Sequence, residues 1–133
     1  MIGPAHHVGI AVQRLDSAIE RYRALGLVLD YAEEVPAAGV RVAFLRAGGI
    51  HIELVEPVDP SGAVARFLAK RGEGLHHVAF ATHDIAGELA RLEKEGFELV
   101  DRVPRPGARG STVAFLQPRS AHGVLIELVQ EPT

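Results

Sequence analysis

Two histidines and two glutamates recur at matching places in two similar stretches of this chain. His7 follows His6 and opens the run Val8-Gly9-Ile10-Ala11-Val12, while His77 follows His76 and opens Val78-Ala79-Phe80-Ala81-Thr82. Glu53 lies in Ile52-Glu53-Leu54-Val55, and Glu127 lies in Ile126-Glu127-Leu128-Val129. Val42-Ala43-Phe44-Leu45 likewise returns as Val113-Ala114-Phe115-Leu116. Imidazole nitrogens and carboxylate oxygens together make a ligand set for a divalent metal ion. A lone strand histidine is more often structural, and a lone glutamate in an apolar strand is more often an exposed edge residue. Two of each at matching repeat positions favour the metal reading of His7, Glu53, His77 and Glu127.

The elements that must position these four follow from periodicity. Residues 5–13 alternate and are rich in β-formers, which predicts a strand. Asp16 is the expected N-cap of a helix whose stripe is Ile19, Tyr22 and Leu25, ending at Gly26. Strands are expected near 28–35, 39–47 and 50–57, separated by Pro36, Gly39 and Gly48-Gly49. The second half repeats the order: a strand at 75–82, a helix from Asp84 to Glu95, then strands near 97–104, 111–117 and 123–130. Between the halves, Asp59-Pro60-Ser61 starts a short helix with Val64, Phe67 and Leu68 as its apolar face.

Each half therefore reads as βαβββ, which makes the chain α+β. One such unit leaves a sheet face uncovered, so the two are expected to pair within a single domain. The repeats run over about 5–57 and 75–130, joined by the helix at about 60–71. Strand alternation then aims the side chains. Val8, Ile10 and Val12 share the helix face, and His7, Gly9 and Ala11 share the other. The same parity separates Val78 and Phe80 from His77, Ala79 and Ala81. It selects, in each double histidine, the one directly before valine.

Composition narrows the classes. The chain has 133 residues, of which 47% are hydrophobic, enough for one core. No apolar run is long enough to cross a membrane, and the first residues lack the pattern of a signal peptide. With no cysteine, disulfides and thiolate metal sites are ruled out, which fits a cytoplasmic protein. A net charge of -3 gives no general attraction to nucleic acid or to acidic membranes. The other histidines have no repeat partner: His51, His83 and His122 are expected at the surface or in caps. Glu33-Glu34 and Glu93-Lys94-Glu95 read as solvated faces. Gly107-Ala108-Arg109-Gly110 is no phosphate loop, because no helix follows it.

With these residues in view, the chain resembles the vicinal oxygen chelate superfamily, which includes glyoxalases, bleomycin resistance proteins and dioxygenases. Within it, the chain resembles the methylmalonyl-CoA epimerase family. The opening His7-Val8-Gly9-Ile10-Ala11-Val12 is shared widely across the superfamily. More specific are Glu34-Val35-Pro36 leading to Gly39-Val40, and Ile52-Glu53-Leu54-Val55-Glu56-Pro57. So are Phe67-Leu68 through Gly72-Glu73-Gly74-Leu75-His76-His77-Val78-Ala79-Phe80, and Pro118-Arg119-Ser120 followed by Gly123-Val124-Leu125-Ile126-Glu127-Leu128.

The resemblance implies an open, cup-shaped, eight-stranded sheet around one divalent ion held by His7, Glu53, His77 and Glu127. Cobalt is the first choice, with manganese, magnesium, nickel or zinc as alternatives. It implies a CoA thioester substrate, with Arg119 and Ser120 near the thioester and CoA phosphates, and a homodimer. It also implies interconversion of the C2 epimers of methylmalonyl-CoA through an enolate, with Glu127 as a catalytic base. Some family members place a second catalytic carboxylate three residues after the glycine matching Gly39, and this chain has Val42 there. Glu53, the repeat partner of Glu127, is then the expected base for the opposite face. A glyoxalase I-type isomerase would use the same ligand set on a hemithioacetal, and an extradiol dioxygenase would have little need for Glu53. A metal-free binding relative would be expected to lose one or more ligands.

Overall fold

The computed structural model describes residues 1–133. By contact density the chain divides into two compact units, His7–His76 in one and Met1–His6 with His77–Thr133 in the other. Each is built on the same plan, and the class is α+β with two βαβββ modules, as expected from the sequence.

In the first module, β1 (Ala5–Ala11) is followed by α1 (Leu15–Ala24), β2 (Val28–Val35), β3 (Val40–Ala47) and β4 (Ile50–Pro57). The strands lie in the order β2-β3-β4-β1. β2, β3 and β4 form an antiparallel meander, and β1 lies parallel to β4. A parallel neighbour needs a long crossover, and here α1, β2 and β3 supply it. Leu15, Ala18, Ile19 and Tyr22 form the stripe of α1 that packs on Ala43, Leu45, Leu54, Ile10 and Val12. Leu45 and Leu54 are fully buried, each worth about 1.5–3 kcal/mol of transfer free energy. The connecting helix α2 (Ala63–Arg71) buries Val64, and Asp59 sets its approach by accepting bonds from the Ser61 backbone N–H and hydroxyl.

The second module runs β5 (Gly74–Ala81), α3 (Ile85–Lys94), β6 (Arg105–Pro106), β7 (Thr112–Leu116) and β8 (Ile126–Gln130), in the sheet order β5-β8-β7-β6. β5 lies parallel to β8, as β1 does to β4. Ile85, Leu89 and Leu92 of α3 pack on Ala114, Leu116 and Leu128. Asp84 caps α3, its carboxylate accepting the Gly87 N–H at 3.1 Å. Helices α1 and α3 end alike, on glycines with positive φ (Gly26 at 101°, Gly96 at 97°), a conformation that costs a side-chain-bearing residue energy.

Two expectations need correction. Asp16 is not the cap of α1. Arg14 holds the N-cap position without a side-chain bond, and Glu56 of β4 accepts the Leu15 N–H at 3.0 Å. A carboxylate from across the module thus does the capping, which local spacing could not reveal. The strand expected at 97–104 is reduced to a bridge between Leu99 and Leu116, and the ladder resumes only at Arg105–Pro106. Pro104 and Pro106 cannot donate to a ladder. The Asp101 carboxylate takes the Phe115 N–H at 2.9 Å, while Phe115 O accepts from Val100 N and Asp101 N. The edge is satisfied by a side chain in place of strand pairing.

Candidate metal centre

The register of the first module carries its chemistry to one point. Ile52 and Leu54 face α1, so Glu53 between them faces the other side of β4. Gly9 of β1 is its neighbour on one side and Phe44 of β3 on the other. His7, two residues before Gly9, shares that face. Its Nε2 lies 3.2 Å from Glu53 Oε1, and both residues are buried. The edge of Phe44 meets the His7 ring at 5.2 Å with an interplanar angle of 81°.

The second module builds the same arrangement from its own strands. Glu127 of β8 has Ala79 of β5 on one side and Phe115 of β7 on the other. His77 Nε2 lies 3.2 Å from Glu127 Oε1, both residues again buried. Phe115 meets the His77 ring at 5.7 Å and 89°. In both modules the residue beside the glutamate is small, and an aromatic edge limits the tilt of the imidazole.

A buried carboxylate without a compensating charge is costly, and proteins hold such groups by pairing them or by coordinating a metal. His7, Glu53, His77 and Glu127 are all buried, and as a group of four, each offering one ligand atom, they could hold a metal ion. The spacing within a pair fits. Donors about 2.1 Å from one ion sit roughly 3.0 Å apart at right angles and about 3.4 Å apart in a tetrahedron. The observed 3.2 Å falls between them. Nitrogen and oxygen donors without thiolate suit manganese, cobalt, nickel, magnesium or zinc.

The remaining histidines sort as strand parity requires. His6 Nε2 lies 2.6 Å from Glu131, and the His76 ring packs on Phe67 at 4.9 Å. His83 and His122 are exposed. His51 differs from expectation. It lies inside β4 on the face of Glu53, directly across from His7 in register, and its Nε2 lies 2.9 Å from Asp30 Oδ2. β4 begins at Ile50, as expected, and the carboxylate that meets His51 comes from β2.

Arg119 and Ser120 sit in a short 3-10 turn, Pro118–Ala121. Arg119 is exposed and paired with Glu98, whose hydrogen bond and charge raise the guanidinium pKa above its ordinary value. Ser120 Oγ accepts the Glu98 N–H at 2.8 Å. Both residues thus tie the turn to the segment before it.

Sequence reasoning passed over Phe44 and Phe115 as site residues. The signal was present, since both stand at the same place in the repeated Val-Ala-Phe-Leu run. Their cross-strand partners were not readable without the register.

These features are those of a duplicated βαβββ metal scaffold, and the family model for the glyoxalase/bleomycin resistance protein/dioxygenase superfamily matches residues 6–115. The chain belongs to that superfamily. It is 42% identical over 125 residues to the uncharacterized protein YqjC of Bacillus subtilis, covering 93% of this chain and 89% of that one. It is 36% identical over 133 residues to the ethylmalonyl-CoA/methylmalonyl-CoA epimerase of Cereibacter sphaeroides, covering 98% and 99%. Among solved structures, a variant of Streptomyces coelicolor methylmalonyl-CoA epimerase in complex with 2-nitronate-propionyl-CoA superposes with a TM-score of 0.95 at 37% identity. That match covers 100% of this chain and 97% of the other.

Proposed function

We propose that this chain is a methylmalonyl-CoA epimerase, an isomerase that inverts C2 of the malonyl thioester. The observation that carries the reading is the His–Glu pair found buried, at the same 3.2 Å, in both modules of a chain so similar to named epimerases. His7, Glu53, His77 and Glu127 would hold one divalent ion. When bound, the ion supplies a Lewis acid that offsets negative charge developing on the substrate's oxygens.

The chain's own groups move the proton. Glu127 accepts the C2 proton on one face, and the C–H electron pair shifts toward the thioester carbonyl to give an enolate. Return of a proton to the other face completes inversion. Glu53, the repeat partner of Glu127 and the base expected from symmetry, would serve as a ligand, and the second face takes its proton from a separate group. Small residues beside both glutamates, Gly9 and Ala79, leave room for the C2 substituent. Arg119 and Ser120 lie on a turn suited to contact with the CoA portion. No helix is long and apolar enough to cross a membrane, and the reading places the enzyme in the cytoplasm as a homodimer.

The test is hydrogen–deuterium exchange at C2 of methylmalonyl-CoA in D2O, before and after chelation and after re-addition of Co²⁺. Exchange with inversion, lost on chelation and restored by the ion, is expected. Absence of exchange with metal bound overturns the substrate assignment.

A further inference from the structure

Inversion needs a proton-transfer group on each face of C2, and Glu127 can serve only one of them. We infer that Glu33 is a further catalytic residue, the acid–base group for the face opposite Glu127. The inference rests on the epimerase reading and deepens it.

Glu33 of β2 stands opposite Val42 of β3, Val42 opposite Val55 of β4, and Val55 opposite Ala11 of β1. Cross-strand neighbours share a sheet face, so Glu33 is the one ionisable side chain in a row otherwise made of two valines and an alanine. The next row along the same face is Tyr31, Phe44, Glu53 and Gly9. Tyr31 stacks on Phe44 at 4.8 Å and 14°, and Phe44 in turn meets the His7 ring. The edge strand that carries Glu33 is therefore anchored to the face of the metal pair.

Its neighbour in sequence shows the contrast. Glu34 stands opposite Arg41, and Arg41 opposite Glu56, with Arg41 Nη1 3.1 Å from Glu56 Oε1. Glu34 thus belongs to a charge ladder on the helix side, and it is exposed. Glu33 is half-buried on the other side. Two adjacent glutamates that look alike in sequence have opposite surroundings. On the metal face of this module the other charged or imidazole side chains include His7 and Glu53, which form the pair, and Arg46 and His51, which both meet Asp30.

The step balances without a further reactant. In one direction Glu127 takes the C2 proton and a protonated Glu33 gives one to the opposite face. In the other direction the roles exchange, and both carboxyls re-equilibrate with solvent between turnovers.

The experiment is Glu33→Gln, assayed with each separate epimer of methylmalonyl-CoA in D2O and compared with Glu34→Gln and Glu53→Gln. Positioned acid–base groups contribute about 10²–10⁴-fold, so epimerisation should fall at least 100-fold with bound metal and KM little changed. C2 exchange should survive for one epimer and be lost for the other. Glu34→Gln should behave as wild type, and Glu53→Gln should lose metal. Equal loss or equal retention of exchange for both epimers in Glu33→Gln overturns the role of Glu33. A wild-type enzyme that exchanges neither epimer overturns the epimerase reading itself, which keeps the two failures apart.

Discussion

If the two His–Glu pairs share one ion, removing a histidine from either module should abolish metal-linked stability in full. The perturbation is His7→Ala or His77→Ala, each measured with metal and after chelation. An ion that binds only the folded chain, held free at 100 times its Kd, stabilises by about 2.7 kcal/mol. Unfolding entropy near 60 °C is about 2.1 cal/mol/K per residue. Over 133 residues, this makes 2.7 kcal/mol equivalent to roughly 10 °C in Tm. Wild type should show that shift by calorimetry, with one ion per chain by elemental analysis. Each variant should show almost none, because loss of one imidazole leaves three donors where the intact set offers four. The comparison is made within each variant, so any loss of stability from the cavity itself cancels. Two ions per chain, or a variant that keeps half the shift, would refute the shared ion and leave two independent sites.

Two further outcomes bear on the scaffold. Leu128, with no exposed surface in the α3 core, should cost about 2.7–5 kcal/mol as Leu128→Ala, read by urea denaturation. Loss below about 1 kcal/mol would mean that the core collapses around the gap. Glu88 is buried, and its carboxyl is held below its ordinary value of 4.5 by the N-terminal ammonium and by Arg91. Because the folded pKa lies below the unfolded one, its contribution is complete above pH 4.5 and fades as pH falls through the folded value. Glu88→Gln should therefore lose about 1.5–3 kcal/mol near pH 7, and the gap to wild type should close in acid. A gap that persists unchanged to low pH would assign the effect to packing.

What the sequence made legible was whatever a short period or a repeat encodes. Strand parity selected His7 over His6 and His77 over His76, and the observed partners follow that parity. Ile19 and Tyr22 of the α1 stripe were readable from helical spacing, whereas Leu25, expected with them, lies past the helix end and is exposed. Illegible were the features made by residues distant in sequence. The carboxylate of Glu56 caps α1 from another strand, and that of Asp101 replaces a ladder bond at Phe115. The difference between Glu33 and Glu34 likewise exists only once β2 has a register against β3. His51 was assigned to the surface or a cap because it lacks a repeat partner, while the Asp30 carboxylate that meets it lies on another strand.

The repeat is closest where the chemistry demands equivalence and loosest where the substrate does not. An epimerase must treat the two faces of C2 alike, and the paired His–Glu–Phe arrangement is the same in both modules. Malonyl thioesters, however, carry a carboxylate at one end and a thioester at the other, so the walls around the centre need not match. They differ at one defined place. Tyr31 stacks on Phe44 in the first module, whereas in the second the guanidinium of Arg105 lies 5.5 Å above the Phe115 ring. Arg105 comes from the strand shortened by Pro104 and Pro106 and pairs with Asp101, which also holds the Phe115 N–H. The breakdown of the sixth strand is thus tied to the placement of a cation beside one aromatic, while a full-length β2 places a phenol ring, and two residues on a carboxylate, beside the other. On the proposed reading, the divergence of the two edge strands would suit an unsymmetrical substrate, while the buried His–Glu pairs stay alike in both modules.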